Sequence, residues 1–440
     1  MPEAGSLGVC LLTDVFPPHS GGSGWSTYYL GKALSDRGHR VTVLRPAYGS
    51  GVPKPARHTT RYESLQVEEV LVPEPPGWLG RVGVGKAWTQ RVARRLLEKR
   101  ATDLAGTVNV LHGQHLVSGV AASRAASKSR SPLVSVVTVR DYWPLCPVST
   151  RLFEGVSGDV FECEKCHQLR SYLGCARRKD RRAAVRLPVD LARWLNTLAD
   201  SRTLAGAGAV IAVSNYVSRE LARSGRVSQS RLRVIPNLVD LTSVERALDG
   251  AWPLHDISPE DPFLLFAGKL DTNKGAWQLP KVLTHAGVRL PVVVAGDGPW
   301  REKIAREAAE LGLDFRFYDW LENEAVLSLM SRAVALLFPS AWQEPLSRVL
   351  LEGCAAGAAI VALDTGGTAD VIEHGTSGWL AHNIDEFAAG LRAVASGAEL
   401  NARLRRGARQ RAETKFAAPV VCVQVEELYR SLLERKGARL

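Results

Sequence analysis

The sequence predicts an α/β protein made of two doubly wound, Rossmann-like parallel-sheet modules that face each other across a cleft. Near the start of the chain, a buried apolar run (residues 8–13), a Gly/Pro/Ser-rich loop, a helical pattern (25–37) and a second apolar run (41–44) follow one another. This order is typical of one βαβ unit of a parallel sheet. The second half repeats the same rhythm of short apolar runs and helical patterns, which indicates a second module.

Length and composition agree with two folded domains. The chain has 440 residues, of which 45% are hydrophobic and 23% charged, so extensive disorder is excluded. No apolar run reaches the ~18 residues of a membrane-spanning helix. The first apolar stretch has no basic leader and meets Asp14 at once, so we expect no signal peptide and a cytoplasmic protein, with peripheral contact at the inner membrane face as a further hypothesis.

The domain boundary is predicted near residue 240. We expect a first domain at residues 1–240, a second at 241–417, and a linker over the proline-containing segment 240–262. Strands are predicted in the first domain at 108–111, 133–139 and 209–213, and in the second at 263–267, 292–295, 314–318, 335–338 and 359–362. Residues 419–433 have the periodicity of a final helix.

Charge is distributed unevenly. Residues 1–240 carry a formal balance of +15, residues 241–400 a balance of −10 and residues 401–440 a balance of +6. Two stretches, 91–100 and 177–186, are especially rich in arginine and lysine. Contact with anionic lipid and an ordinary solvated surface both explain this pattern, whereas no nucleic-acid-binding module is recognisable.

The most informative segment is 338–380. Glu344 precedes a proline that favours a helix start, and Glu352 follows on the same predicted helix, roughly 12 Å along its axis. Two carboxylates at that separation suit the two ends of an extended ligand such as a nucleotide-sugar. The intervening helix start would offer N–H groups to a diphosphate, and the turn Thr365–Gly366–Gly367 would offer more.

Two lysines follow a predicted strand of the same module. Lys269 comes directly after the strand and Lys274 begins the next helical segment. Two cations at this edge could neutralise a leaving diphosphate without a metal ion. Gly296 begins a Gly-Asp-Gly-Pro turn after the neighbouring strand, on the same edge of the sheet.

Together these motifs resemble the family-4 retaining glycosyltransferases (glycosyl transferases group 1), which have the GT-B fold. The Glu-x7-Glu pair, the Gly-Asp-Gly-Pro turn and the Thr-Gly-Gly turn occur in the family's order. The family's Gly-Arg…Lys-Gly pair is matched by Gly268–Lys269 and Lys274–Gly275, with Lys269 in place of the usual arginine, which keeps the charge but not the fork geometry. The amino-terminal glycine loop, the Val-Ser run at 213–214 and the Val-Ile-Pro-Asn run at 234–237 agree as well. The resemblance covers residues 8–435.

The resemblance implies a role for each motif in a hexosyltransferase that uses a nucleotide-sugar. Glu344 would contact the donor sugar, Lys269 and Lys274 would hold the diphosphate, and Glu352 would hold the ribose. Gly21 and Gly22 would approach the diphosphate from the first domain. Further donor contacts are implied for Thr365, Gly366, Gly367, Gly296, Leu346 and Ser347. The resemblance also implies that helix 418–440 packs back on the first domain and that catalysis proceeds with retention and without a cofactor.

The acceptor side departs from the family pattern. The family often has a histidine before Asp141, and this chain has Arg140 there. Arg140 could hold an anionic group, or it could mark altered catalysis. His115, which follows a predicted strand, could face the acceptor or cap the strand end. The acceptor, a glycan or a lipid-linked sugar, is not specified. A non-catalytic binding subunit and a nucleotide-sugar epimerase of the same fold are alternatives, whereas nothing indicates the pyridoxal cofactor of a phosphorylase.

Four of the seven cysteines cluster in one segment of the first domain. Cys146, Cys163, Cys166 and Cys175 could form a structural zinc site or hold an iron–sulfur cluster, and four free thiols are the alternative. Cys10, Cys354 and Cys422 are predicted to be small buried residues.

Overall fold

The computed structural model describes residues 5–18, 20–49, 57–81, 85–147, 149–154, 160–162, 169, 172–173 and 183–437. The chain divides into two compact units: unit 1 comprises Met1–Pro236 with Cys422–Leu440, and unit 2 comprises Asn237–Val421. The sequence-based boundaries stand at residues 240 and 417.

Unit 1 contains an eight-stranded sheet in the order β10-β9-β6-β5-β1-β2-β4-β3, parallel except where β3 runs against β4. The strands of this sheet, with the small β7–β8 hairpin, are β1 (Gly8–Leu12), β2 (Arg40–Tyr48), β3 (Arg57–Tyr62), β4 (Leu65–Val72), β5 (Val110–Gly113), β6 (Val134–Val139), β7 (Leu152–Glu154), β8 (Val160–Glu162), β9 (Ala209–Ala212) and β10 (Leu232–Val234).

The helices of unit 1 flank this sheet. They are α1 (Gly22–Asp36), α2 (Gly77–Arg81), α3 (Gly85–Asp103), α4 (Leu116–Lys128), α5 (Ala183–Ala205) and α6 (Asn215–Arg223). Strands β1, β5, β6 and β9 are buried along their whole length, as expected for the middle of a parallel sheet covered on both faces.

Unit 2 contains a six-stranded parallel sheet in the order β13-β12-β11-β14-β15-β16. Its strands are β11 (Leu264–Ala267), β12 (Val292–Ala295), β13 (Phe315–Tyr318), β14 (Ala335–Phe338), β15 (Ile360–Leu363) and β16 (Trp379–Ala381). Its helices are α7 (Leu241–Leu248), α8 (Leu279–Ala286), α9 (Arg301–Glu310), α10 (Asn323–Arg332), α11 (Arg348–Ala355), α12 (Thr368–Val371), α13 (Ile384–Ser396) and α14 (Ala398–Arg411).

The final helix, α15 (Ala418–Arg435), contributes to the core of unit 1. Fully buried Tyr429 places its hydroxyl 2.6 Å from Nδ1 of His112 on β5, whose Nε2 lies 2.7 Å from the Thr138 hydroxyl on β6. Glu426 accepts from the Arg37 guanidinium, with one contact at 2.9 Å. These contacts fasten the helix to two strands and to the end of α1.

The segment predicted as a linker is part of unit 2. It contains α7, whose first turn is capped by the Asp240 carboxylate, and it buries Val244, Leu254 and Ile257. The linker prediction was therefore wrong. The prolines of this segment indicated a linker, but the segment contains a short amphipathic helix and buries Leu254 and Ile257.

The α/β fold class is confirmed. Counting only parallel strands in chain order, the sheet of unit 2 has the sequence 3-2-1-4-5-6 typical of doubly wound nucleotide-binding folds, and that of unit 1 has the same sequence extended by a seventh strand, β10. In such sheets the crevice for ligands opens beyond the carboxyl ends of the strands, where the strand order reverses. That point lies between β1 and β5 in unit 1 and between β11 and β14 in unit 2. Among the helices of the described residues, none combines the length and hydropathy that a bilayer span requires.

Candidate active site

The strongest concentration of predicted site residues lies at the switch point of unit 2. Lys269 and Lys274 follow β11, and Glu344 follows β14, the strand beside it. The Thr365–Gly366–Gly367 turn follows β15, and Gly296 follows β12. Four neighbouring strands thus deliver these residues to the same edge of one sheet.

Glu344 and Lys274 form a partly buried ion pair at the centre of this edge. The Lys274 Nζ lies 2.6 Å from Oε1 of Glu344, which also accepts a 3.0 Å hydrogen bond from the Ser340 hydroxyl. Glu344 is only 3% exposed, whereas the Lys274 side chain is 26% exposed. The carboxylate therefore has a fixed position, and the ammonium keeps a solvent-facing side for a further anion.

Backbone interactions hold both members of this pair. The Asp271 carboxylate accepts from the backbone N–H of Lys274 at 3.1 Å and so fixes the turn that presents it. In the loop after β14, the carbonyl of Glu344 accepts from the Gly367 N–H at 2.6 Å, and the Gln343 side chain accepts from the Gly366 N–H at 2.6 Å. The glycine turn is thus packed directly against the segment that carries Glu344.

Gly366 is required by this packing. Its φ is +61°, and an added Cβ would lie 2.3 Å from the carbonyl oxygen of Glu344. Since the N–H groups of Gly366 and Gly367 are already occupied, the turn fixes Glu344 and does not offer those two donors to a ligand, contrary to the sequence-based prediction. The Thr365 hydroxyl is buried and has no hydrogen-bond partner within the described part of the chain.

Glu352 lies on α11, but Glu344 does not. The helix begins at Arg348 after Ser347, so Glu344 sits in the preceding loop and the predicted 12 Å spacing along one helix was wrong. Glu352 accepts from Nε of Arg348 at 2.9 Å and from Nδ2 of Asn323 at 3.3 Å. Leu346 and Ser347 are buried immediately before the helix, whose first N–H groups lack intrahelical partners and suit an anion.

Lys269 contrasts with Lys274. It is exposed and makes no hydrogen bond or ion pair with any described residue. Beside it, the loops after β11 and β12 pack backbone on backbone: a Cβ at Gly296, where φ is +143°, would lie 2.1 Å from the carbonyl oxygen of Gly268. Lys269 is therefore a free cation beside a close-packed glycine loop.

At the switch point of unit 1, Asp14 follows β1 and His115 follows β5. The Asp14 carboxylate accepts from the N–H groups of Val117 and Ser118 at 2.9 and 2.8 Å, which caps the first turn of α4. The His115 Nδ1 lies 3.2 Å from the Thr13 hydroxyl, and its Nε2 is buried without a partner among the described residues. Burial lowers the pKa of His115 to about 4, against the opposing influence of Asp14, so the imidazole is neutral at pH 7.

Arg140 and Asp141 follow β6, the next strand. Nη1 of Arg140 donates to the Gln114 carbonyl at 3.1 Å, and Oδ1 of Asp141 accepts from the Trp143 N–H at 2.8 Å. Burial raises the pKa of Asp141 to about 6. The amide nitrogen and oxygen of fully buried Gln114 and the indole Nε1 of Trp143 have no hydrogen-bond partner in the described structure.

The remaining predicted residues divide between described and undescribed parts of the chain. Gly21 and Gly22 are exposed at the start of α1, and no atom would lie within 4 Å of a Cβ at Gly21, so the fold itself does not require a glycine there. Cys146 is buried, whereas Cys163, Cys166 and Cys175 lie outside the described residues, as does His167. The described residues contain no cluster of three or more metal-ligating side chains.

The other three cysteines fit their prediction. Cys10, Cys354 and Cys422 are fully buried, and burial raises the pKa of each thiol to about 12. They are inert core residues at neutral pH.

Sequence reasoning missed the side chains that hold the two glutamates. Ser340, Gln343, Arg348 and Asn323 had no motif to mark them. One usable signal was present: Arg348 and Glu352 stand four residues apart at the start of a predicted helix, which is the spacing of a helical ion pair.

Two protein-family models match the chain. The model described as "Glycosyl transferases group 1" matches residues 254–411, and the model described as "Glycosyltransferase Family 4" matches residues 20–243, just over half of the chain. The chain belongs to glycosyltransferase family 4. The resemblance inferred from the motifs is therefore confirmed.

Curated relatives of this family member include mycobacterial enzymes. A glycogen synthase of Mycobacterium tuberculosis is 29% identical over 216 residues, which cover 46% of this chain and 51% of the relative. A GDP-mannose-dependent alpha-(1-6)-phosphatidylinositol dimannoside mannosyltransferase of the same species is 28% identical over 240 residues, covering 54% of this chain and 61% of the relative. The first match spans about half the length of the curated relative.

Solved structures show the same fold at lower identity. Anabaena HepE in complex with UDP has a TM-score of 0.65 at 17% identity, with 97% of this chain and 100% of that chain covered. Sucrose-phosphate synthase from Thermosynechococcus elongatus has a TM-score of 0.67 at 18% identity and the same coverage. These likenesses confirm the GT-B fold for this family-4 chain.

Proposed function

We propose that the protein is a retaining glycosyltransferase that moves a sugar from a nucleotide-sugar to a glycan or lipid-linked acceptor without a catalytic metal. The observation that carries this proposal is the partly buried Lys274–Glu344 pair at the switch point of unit 2, beside the free cation Lys269. Family membership and relatives that include a glycogen synthase and a GDP-mannose-dependent mannosyltransferase support it.

In this proposal, unit 2 binds the donor. Lys269 and the solvent-facing side of Lys274 neutralise the diphosphate, together with the first N–H groups of α11. Glu344 accepts hydrogen bonds from the sugar hydroxyls, because Ser340 and Lys274 leave its second carboxylate oxygen available. Glu352, fixed by Arg348 and Asn323, accepts from the ribose hydroxyls.

The proposed transfer exchanges one bond for another on the same face of the sugar. The bond from the anomeric carbon to the diphosphate oxygen breaks, and the bond from the acceptor oxygen to that carbon forms. The acceptor proton passes to the leaving diphosphate, whose added charge the two lysines stabilise. His115 and Asp141 are candidates for acceptor contacts, since burial moves the pKa of each side chain away from its usual value.

The first experiment is a thermal-shift screen with UDP, GDP, ADP and dTDP, with and without EDTA. A ligand at 100 times its Kd should stabilise the protein by about 2.7 kcal/mol, and the shift should survive EDTA. The nucleotide that binds selects the donor for a transfer assay, in which NMR reports the anomeric configuration of the product. Absence of any shift would instead favour the non-catalytic binding subunit.

A matched pair of variants tests the site. Glu344→Gln keeps the size of the side chain and should lower transfer by about 100-fold or more while the protein stays folded. Glu310→Gln, at an exposed position of α9 in the same unit, should leave transfer unchanged. Full activity of Glu344→Gln would show that the site is misassigned.

We also propose peripheral contact with anionic lipid through unit 1. Helix α5 exposes Leu187, Leu191 and Leu195, which are spaced four residues apart and therefore share one face. Helix α3 adds the exposed cations Arg91, Arg95 and Lys99. Vesicles of phosphatidylglycerol should co-sediment the protein at low salt, whereas phosphatidylcholine vesicles should not; equal binding to both would exclude the electrostatic contact.

A further inference from the structure

A cavity in unit 1 lies away from the switch point. Its volume is about 420 Å³, and its wall includes the first residues of β6 and β9, the segment around β10 and the last turns of α15. These are the amino-terminal ends of the strands, whereas His115 and Asp141 follow carboxyl-terminal ends. The cavity therefore opens at the opposite edge of the sheet from the candidate acceptor residues.

The charge of this cavity is one-sided. Four basic side chains line it, and its described lining contains no aspartate or glutamate; the four are Arg231, Arg233, Arg435 and Lys436. Four cationic groups around one small volume, without a carboxylate among them, attract an anion of more than one charge.

The hydrogen bonds of these cations leave their charge uncompensated. Nη1 of Arg231 donates to the carbonyls of Ala205 and Ala207 at 2.6 and 2.8 Å, and Nζ of Lys436 donates to the Leu133 carbonyl at 2.8 Å. Carbonyl oxygens are neutral acceptors, so each bond orients a cation without cancelling it. Arg231 is thereby held with Nε and Nη2 unused by any described residue.

Further donors complete the lining. Arg435 makes no hydrogen bond or ion pair within the described chain, and the same holds for the hydroxyl of Ser431 one turn earlier on α15. An arginine fork matches the geometry of a phosphate group, and a free hydroxyl adds one more donor.

The remaining lining mixes serines with apolar side chains, and its apolar part fits the body of a small molecule. Leu428, Leu432 and Val134 face the cavity. Its volume is at the lower end of the range for small-molecule pockets, which suits a molecule the size of a phosphorylated monosaccharide.

We propose that this cavity binds a small phosphate monoester, of the size of a sugar phosphate, at a site separate from the nucleotide-sugar site. The phosphate lies among Arg231, Arg435 and Lys436, and the body of the ligand packs on Leu432. Because two of these cations belong to the end of α15 and one precedes β10, the bound ligand joins the final helix to the sheet of unit 1.

Calorimetry and thermal shift with glucose 6-phosphate test the proposal, with glucose and sodium chloride at matched ionic strength as controls. Glucose 6-phosphate should bind and raise the Tm, and inorganic phosphate should do so more weakly, whereas neither control should. Equal responses to glucose 6-phosphate and to chloride would overturn the proposal.

Variants locate the site. Arg435→Ala and Lys436→Ala should each weaken glucose 6-phosphate binding by about tenfold or more, as expected for one charge-assisted contact. Arg61→Ala removes an exposed arginine of β3 in the same unit, whose side chain has no ion-pair partner among the described residues, and should leave binding unchanged. If Arg435→Ala and Lys436→Ala bind as tightly as the unaltered protein, the cavity is not the site.

A nucleotide separates this site from the proposed donor site. The nucleoside diphosphate that shifts the Tm should shift it equally in Arg435→Ala, and glucose 6-phosphate should bind equally to Lys269→Ala. Loss of both ligands in Arg435→Ala would assign this arginine to a shared site and overturn the proposal. The binding result stands whether or not the protein transfers sugar.

Discussion

The switch points of the two units have the same topology but opposite polar chemistry. In unit 2 the charged groups other than Lys269 pair with one another: Lys274 pairs with Glu344, and Arg348 pairs with Glu352. In unit 1, Gln114 and His115 hold buried polar atoms without partners in the described structure, and burial raises the pKa of Asp141. The difference indicates that unit 2 holds its charged side chains in fixed positions before a ligand binds. In unit 1, by contrast, buried polar groups remain available to hydrogen-bond a ligand.

Breaking the Lys274–Glu344 pair should have the largest effect. Lys274→Ala leaves a buried carboxylate with Ser340 as its only remaining side-chain partner among the described residues, so we expect a loss of about 3–5 kcal/mol in the free energy of unfolding. Chemical denaturation measures it. The double variant with Glu344→Gln should recover much of the loss, whereas additive effects of the two changes would show that the pair is not coupled.

Lys269→Ala is the matched control for that experiment. Because Lys269 is exposed and unpaired in the described structure, its removal should change stability by less than about 0.5 kcal/mol. Binding of the nucleoside diphosphate should nevertheless weaken in both lysine variants. An unchanged Kd in Lys269→Ala would remove this residue from the proposed donor site.

Asp141→Asn should raise the stability of the protein at pH 7, whereas Lys274→Ala lowers it. The folded chain holds the Asp141 proton up to about pH 6, whereas the unfolded chain releases it near 3.8. The native protein therefore loses stability from this group as pH rises from 4 to 6, and asparagine does not ionise. We expect the variant to be more stable than the native protein at pH 7, by up to about 3 kcal/mol, with the difference vanishing below pH 4.

Denaturation curves at pH 4, 5, 6 and 7 check this prediction. The neutral state of His115 acts in the other direction, because its lowered pKa costs stability as pH falls from 6.5 towards 4. Since His115 is present in both proteins, the difference between them isolates Asp141. A variant less stable than the native protein at pH 7 would mean that the carboxylate is held by a partner.

Gly366→Ala tests the clamp on Glu344. The new methyl group would meet the Glu344 backbone at 2.3 Å, at a residue with positive φ, so we expect a loss of about 1–3 kcal/mol and weaker nucleotide-sugar binding. Gly312→Ala is the control, since Gly312 also has positive φ but a Cβ added there would have no atom within 4 Å. If the two variants lose stability and binding equally, backbone strain explains the loss, and close contact with the Glu344 backbone does not.

A smaller loss than that of Lys274→Ala is expected at the contact that anchors α15 in unit 1. Tyr429→Phe removes the hydroxyl that meets His112 and should cost about 1–2 kcal/mol, because the buried imidazole nitrogen loses its partner. Thermal unfolding measures the loss, and nucleotide binding in unit 2 should not change. If Tyr429→Phe leaves the Tm unchanged, the hydroxyl contributes nothing to the anchoring of α15.

The parts of the fold set by local pattern were predictable from the sequence. The buried apolar runs of β1, β6 and β9 and the periodicity of α9 and α15 located those elements to within a few residues. The β3–β4 hairpin was missed because β3 (RHTTRY) is polar and largely exposed, so it has little apolar signal and depends on its partner strand.

The candidate site was predictable as a set of residues but not as a geometry. The sequence brought Glu344, Lys274 and the glycine turn together through their order after strands. It could not show that Glu344 precedes α11 instead of lying on it, because the proline that follows is compatible with either. Nor could the sequence show that the N–H groups of Gly366 and Gly367 donate to the loop that carries Glu344. These hydrogen bonds join loops that follow different strands and are far apart in the sequence.

The placement of α15 has a consequence for how the chain is made. Most of unit 1 leaves the ribosome before unit 2, yet its core contains Tyr429 and Leu433, both fully buried. All of unit 2 is synthesised in between. Domains commonly fold in the order of their synthesis, but here the unit that starts first is completed last. Until α15 emerges, the His112 imidazole lacks its Tyr429 partner, so we expect unit 1 to reach its full stability only after α15 has been synthesised.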